Sequence, residues 1–313
     1  MTHIYTILLA IISLSASQFS LGQTQSPMAK KESEFYKIVD VPIPDDVLLE
    51  VGGLALTDDD KLGVSTRRGE VWLIDKPYGK NPIYKRYAHG LHEPLGLNFR
   101  DNSFYLSQRG ELTRLEDKNG DDKADVYKTI YSWPLSGNYH DYSYGPKFKK
   151  NGNMLVTLNL SWIGHGASLA KWRGWLLEIT PEGEMTPIAT GLRSPSGFEL
   201  NAEEEVFYTE NQGDWVGSGR MTHLEKGDFV GHPAGLRWAD RPESSVKVRA
   251  EHIYSVVDPR LTPPGGRPSK PEYDSTQKII PLFEVANKME GIKTPAVWLP
   301  HSVLGISTSE IIQ

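Results

Sequence analysis

GLALTDDDKLGVSTRRGEVWLID, residues 53–75, decides the fold: a glycine with an apolar pair, a polar turn, a strand of four or five residues, a second turn and another strand. The unit returns, degenerate but in register, as GLNFRDNSFYLSQRGELTRLED from Gly96, as GPKFKKNGNMLVTLNLSW with RGWLLEITPEGE from Gly145, and as GFELNAEEEVFYTENQGDW with MTHLEKGD from Gly197. The intervals are 43, 49 and 52 residues. Periods of that length suit four-stranded blades with loop insertions; a solenoid needs tighter repeats. Alternation supports the strands: Val71 and Leu73 oppose Trp72 and Ile74, and Phe207 and Thr209 oppose Val206 and Tyr208. Both faces are substantially apolar, as expected of a sheet packed between two neighbours. A β-sandwich could use the same strands but would need no fixed repeat. The expectation is an all-β chain, a β-propeller of the six-bladed type, incomplete, with about four to five blades present.

The 313 residues, 38% hydrophobic and 24% charged, suffice for one large core. Twenty-nine Gly, 21 Pro, 8 Trp, 14 Tyr and 9 Phe favour short strands joined by tight turns. The net charge of −6, with Lys and Arg scattered, provides no basic stripe for a phosphate backbone, so nucleic acid is not an expected partner. Cysteine is absent, which excludes disulfides. Residues 1–22 read as a signal peptide: the apolar run Ile4 to Leu14 is too short to span a bilayer, and a polar tail follows. Export to the periplasm or beyond is expected, with no transmembrane segment after cleavage. Residues 23–40 read as a linker and 41–313 as the propeller, with a Pro-rich insertion at about 239–288 that includes RLTPPGGRPSKPEYDS. TPAVWLPHSVLGISTSEIIQ then resumes a strand signature and stops at Gln313, which reads as a new repeat begun in a truncated chain.

Between two strand-like stretches lies DKNGDDKAD, residues 117–125. Asp117, Asn119, Asp121 and Asp125 occupy positions 1, 3, 5 and 9, and Lys123 at position 7 offers its carbonyl, a spacing that wraps a hard cation in oxygen ligands. Calcium in a structural role is the expectation. No helix precedes the loop and Lys128 stands at position 12, so it is no EF-hand. It resembles the D-x-D-x-D-G-x-x-D hairpins of integrin-type propellers, with Asp122 in place of the glycine, a residue that tolerates the left-handed turn. The alternative is a solvated acidic turn.

Two further stretches belong together: GNYHDYSYGPKFKKNGNMLVTL, residues 137–158, and ATGLRSPSGFELNAEEEVFYTENQGDW, residues 189–215. They resemble consecutive blades of the soluble quinoprotein glucose/sorbosone dehydrogenases, in which a His precedes one blade and a G-x-R-N-P-x-G turn leads into the next. The resemblance covers roughly residues 45–238, including LEKGDFVGHPAG from Leu224, with PAVWLPHSVLGIS a looser match. It implies His140 as general base, since an imidazole can take a hydroxyl proton at neutral pH. It also implies Arg193, with Ser194, as contacts to pyrroloquinoline quinone (PQQ), whose three carboxylates suit a planar guanidinium. A sugar or polyol is the implied substrate, with a haem or other electron acceptor downstream. Ser194 replaces the family's Asn, which implies that one cofactor contact is shortened or lost, and Asp141 follows His140 where the family has another residue.

Alternatives stay open on the residues alone. His140 and His165 could be hydrogen-bonded loop histidines, and Arg193 could cap carbonyls. Glu210 and Asn211 could line a channel or satisfy turn amides. The tryptophans read as core, although Trp162 and Trp215 follow strand ends and could stack on a pyranose. A metal-dependent lactonase would use Glu50, Glu210 and Asn211, and a non-catalytic propeller would bind glycan or protein.

Overall fold

The computed structural model describes residues 31, 33–160, 170–213, 215–256, 280–304, 308 and 311. The signal peptide, residues 257–279 of the Pro-rich insertion, Trp162 and His165 lie outside them. The chain divides into Met1–Asp40 and Val41–Gln313. In the first unit the described residues include a turn closed by the Glu34 N–H donating to the Lys31 carbonyl at 3.3 Å.

The second unit is a four-bladed β-propeller: four four-stranded antiparallel sheets in a ring, with little helix. Blade 1 contains β1 (Val51–Leu56), β2 (Leu62–Thr66), β3 (Glu70–Asp75) and β4 (Ile83–Ala88). Blade 2 contains β5 (Asn98–Arg100), β6 (Ser103–Ser107), β7 (Glu111–Glu116) and β8 (Val126–Ser132). Blade 3 contains β9 (Ser143–Phe148), β10 (Met154–Leu158), β11 (Trp175–Ile179) and β12 (Met185–Thr190). Blade 4 contains β13 (Gly197–Leu200), β14 (Val206–Glu210), β15 (Gly219–Leu224) and, after a long excursion, β16 (Val297–Leu299).

The repeated glycine has a steric cause. A Cβ on Gly53 would lie 2.5 Å from the backbone of Gly96, and one on Gly96 would lie 2.2 Å from the Gly145 carbonyl oxygen. The first strands β1 and β9 and the entry to β5 therefore pass backbone to backbone at these glycines, which only glycine permits. Apolar side chains fill the space further out. Leu73, Tyr87, Phe104 and Leu106 pack blade 1 on blade 2, and Leu155, Leu176, Phe198 and Tyr208 pack blade 3 on blade 4.

One expectation is corrected here. Within the stretch 294–313, read as a new repeat, Val297–Leu299 pairs with β15 and supplies the fourth strand of blade 4. The excursion between β15 and β16 is packed over much of its described length. Its 3-10 helix Pro233–Trp238 and α1 (Ala250–Val256) bring Leu236 and Ile253, with Val246 and Val248, into one core with Trp175 and Leu177 of blade 3. Trp175 donates its indole N–H to the Gly235 carbonyl at 2.8 Å. A second short helix, α2 (Leu282–Ala286), precedes β16.

Apolar character on both faces of a strand does not imply cover on both. Val51, Leu54 and Leu56 of β1 are exposed, although β1 packs on β5 of blade 2.

Candidate functional site

The loops leading into β9 and β13 carry His140 and Arg193. A recurrent device sets the leading loops of blades 2, 3 and 4: a polar side chain just past or at the end of the second strand accepts main-chain N–H groups from its own blade's leading loop. Gln108 after β6 accepts from His92 N–H, and Asn159 after β10 accepts from Tyr142 N–H at 2.7 Å. In blade 4 the acceptor is Glu210, whose carboxylate takes the N–H groups of both Arg193 and Ser194. Glu210 has no exposed surface and pairs with the buried Arg220 at 3.1 Å. Of the two roles open to Glu210, it therefore satisfies turn amides, and these commitments leave it poorly placed as a lactonase-type metal ligand.

The His140 loop is anchored from below by a second buried pair. Asp141, fully buried, accepts from Ser136 N–H at 2.9 Å and lies 3.9 Å from the equally buried Arg173. Burial pulls the Arg173 guanidinium down to about 10, against the pull of Asp141, so it stays a cation at neutral pH. Arg173 also donates to the carbonyl of Tyr142 at 2.6 Å. The loop closes on itself through His140 N–H to Asn138 Oδ1 at 2.9 Å and Tyr142 N–H to the His140 carbonyl at 3.0 Å.

The imidazole of His140 is half-buried, with the ring of Tyr139 at 4.0 Å and that of Tyr142 at 6.2 Å, edge to face. Its pKa is held below the ordinary value, first by burial and then by the positive charges of Arg109 and Arg193. His140 stands on the leading loop of blade 3 and Arg193 on that of blade 4. Arg193 is also half-buried. Its Nη1 donates to Asn211 Oδ1 and the Gln212 carbonyl at 3.3 Å each, and to Ser194 Oγ at 3.4 Å. Its Nε is buried without a hydrogen-bond partner among the described residues. The cavity beside it, walled by Glu210, Trp215, Arg220 and His232, has a volume of about 10 Å³, room for no more than a water.

The acidic hairpin lies elsewhere, between β7 and β8. Asp117 accepts three main-chain N–H groups, from Asn119, Gly120 and Asp122; Asn119 Oδ1 accepts from Asp121, and Asp121 Oδ1 from Lys123. Asp125 accepts from Lys118 N–H at 2.9 Å. Asp122 stands at φ 64°, the left-handed turn expected of position 6, and its carboxylate binds Lys61 at 3.0 Å together with Lys85, both from blade 1. The donor chemistry fits a hard cation, because each carboxylate keeps lone pairs beyond those used here. Convergence is lacking: among the described residues no three His, Asp or Glu side chains are grouped to hold a metal.

Arg109, Asp141, Arg173 and the role of Glu210 escape a reading based on sequence alone. The signal available was the polar residue closing each second strand: Gln108, Asn159 and Glu210 recur at one place in the repeat.

No family model and no curated protein matches the sequence. Among solved structures, the chain is similar to a protein assigned as an oxidoreductase (glucose dehydrogenase) from Thermus thermophilus, at 20% identity and TM-score 0.49, covering 59% of this chain and 66% of that one. It is similar to the PQQ-bound aldose sugar dehydrogenase of Streptomyces coelicolor at 16% identity and TM-score 0.49, covering 60% and 63%. A third is the PQQ domain of pyranose dehydrogenase from Coprinopsis cinerea, at 13% identity and TM-score 0.48, covering 59% and 54%. The chain spans less than two thirds of the length of each. Among the described residues no helix is long and apolar enough to cross a membrane.

Proposed function

We propose that this chain carries part of a quinoprotein-type oxidoreductase site, in which a sugar or polyol hydroxyl gives its proton to His140 while Arg193 binds an anionic cofactor. The observation that supports this reading is that His140 and Arg193 stand on the leading loops of consecutive blades. A lowered pKa keeps the imidazole neutral, and so able to accept a proton, at neutral pH. The half-buried Arg193 guanidinium suits a carboxylate, and the protein contacts of its Nη1, at 3.3–3.4 Å, are long enough to yield. The small cavity behind Arg193 excludes a cofactor, so a ligand meets the guanidinium on its open side.

PQQ, when bound, would supply the hydride acceptor. The chain's own residues do the rest. His140 takes the hydroxyl proton on a ring nitrogen, Ser194 offers its hydroxyl beside Arg193, and Glu210 holds the Arg193–Ser194 turn by its amides. Export, and the passage of electrons to a haem or other acceptor, belong to the same reading. Calcium is proposed as a structural ion of the 117–125 loop, bound by Asp117, Asn119, Asp121, Asp125 and the Lys123 carbonyl once these draw together.

The test is direct. Purified chain is mixed with PQQ, Ca²⁺ and a dye acceptor across a panel of sugars and polyols, with PQQ binding followed by absorbance. Dye reduction that is lost in His140→Ala supports the reading; no PQQ binding and no reduction with any substrate would overturn it.

A further inference from the structure

We propose that Arg109, in blade 2, is a positioning residue for His140 in blade 3, acting through the loop that presents the imidazole. The inference deepens the function proposed above and rests on His140 as its base. The Arg109 guanidinium spans the loop from outside its own blade: Nη2 donates to the Asn138 carbonyl at 2.7 Å and Nε to the Asp141 carbonyl at 3.2 Å. These carbonyls lie two residues before and one residue after His140, so one planar group fixes both flanks of the histidine. The guanidinium also lies over the Tyr142 ring, 5.4 Å from its centroid.

The fork is itself held in place. The Arg109 N–H donates to the His92 carbonyl at 3.1 Å. Its own carbonyl accepts from Trp133 Nε1 at 2.6 Å, Arg173 Nη2 at 3.1 Å and Ser143 Oγ at 3.2 Å. Nη1 pairs with Glu93 at 2.8 Å, and the other oxygen of Glu93 lies 3.4 Å from Arg67, which in turn faces Glu50 at 4.0 Å. Glu93 stands at φ 44°, a strained conformation for a non-glycine residue, at the point where its carboxylate bridges two arginines. An alternating chain of charges thus runs from Glu50 ahead of β1, through Arg67 in the β2–β3 turn and Glu93 ahead of β5, to Arg109 in the β6–β7 turn and ends on the loop of His140. Because the carbonyl that gathers three donors is main chain, removing the side chain leaves that hub intact.

The experiment compares wild type with Arg109→Ala, Arg109→Lys and Glu93→Gln in the full chain. It follows the His140 ring resonances through a pH titration, amide exchange over residues 138–142, and kcat and KM with PQQ. In Arg109→Ala we expect the His140 midpoint to rise toward the ordinary imidazole value, exchange of the loop to quicken, and kcat to fall on the order of 100-fold with KM little changed. Arg109→Lys should keep the charge effect on the midpoint without restoring loop protection, because an ammonium cannot span both carbonyls. Glu93→Gln, which leaves the guanidinium but loosens it, should fall between. An unchanged midpoint and unchanged exchange in Arg109→Ala would overturn the proposal, as would full restoration of both by lysine. If wild type shows no dehydrogenase activity but the resonance and exchange shifts occur, the function fails and the positioning stands.

Discussion

The carboxylate of Glu210 accepts the main-chain N–H of Arg193 at 2.9 Å. A buried acid thereby sets the direction in which a half-exposed base leaves the backbone, and the buried Arg220 balances its charge. Glu210→Ala would leave Arg220 buried without a counter-charge and two turn amides without an acceptor. We expect it to cost about 3–5 kcal/mol in urea unfolding. Glu210→Gln keeps the shape and one acceptor and should cost less, while still weakening PQQ binding if the Arg193 turn holds the cofactor.

The pH dependence of the proposed reaction follows from His140. Its folded pKa is depressed, so the neutral base persists below the ordinary imidazole value, and dye reduction should decline only as pH falls through a midpoint below 6.5. The same depression makes folding stability from this group complete above the unfolded value and lost as pH falls through it, because the unfolded chain then takes up the proton more readily. A pH–rate profile together with unfolding at several pH values checks both signs. His140→Ala should abolish the rate and flatten this part of the stability profile.

The backbone crossing at the axis predicts a sharp contrast between two glycines. Gly96→Ala places a Cβ 2.2 Å from a carbonyl oxygen that cannot swing away, at φ 133°. Loss of at least about 3 kcal/mol, or failure to fold, is expected. Gly90→Ala, at φ 77° with nothing within 4 Å of the added carbon, should cost only about 1 kcal/mol of backbone strain. Equal stability of the two variants in thermal unfolding would refute the close approach of Gly96, just ahead of β5, to Gly145 of β9.

For the acidic hairpin, added Ca²⁺ should raise the melting temperature and EGTA should reverse the rise, since a ligand bound only by the folded state stabilises by mass action. Asp121→Ala should abolish the shift. If calorimetry shows no heat and the melting temperature does not move, the loop stands on its amide bonds and on the grip of Lys61 and Lys85 on Asp122.

How much of this was legible in the sequence depends on the range of the interaction. The repeated glycine, the alternating strands and the left-handed turn at Asp122 are local or periodic constraints, and they appear in the sequence because each copy of the repeat must meet them separately. His140 and Arg193 were visible as residue types ahead of consecutive blades. Their supports were not. The Glu210 carboxylate meets an amide 17 residues back, and the Arg109 guanidinium meets carbonyls 29 and 32 residues on, across a blade boundary. The final strand was misread for the same reason: Val297–Leu299 joins a strand more than seventy residues earlier, and nothing in its own composition says which sheet it completes.

The amino-acid order alone thus determined the architecture, because a blade's turns, alternation and close-packed glycines are short-range requirements repeated along the chain. Only the tertiary structure decided which buried acids and arginines hold the two leading loops. Those pairings join residues from different strands and blades, and their strength comes from burial that exists only once the sheets have packed.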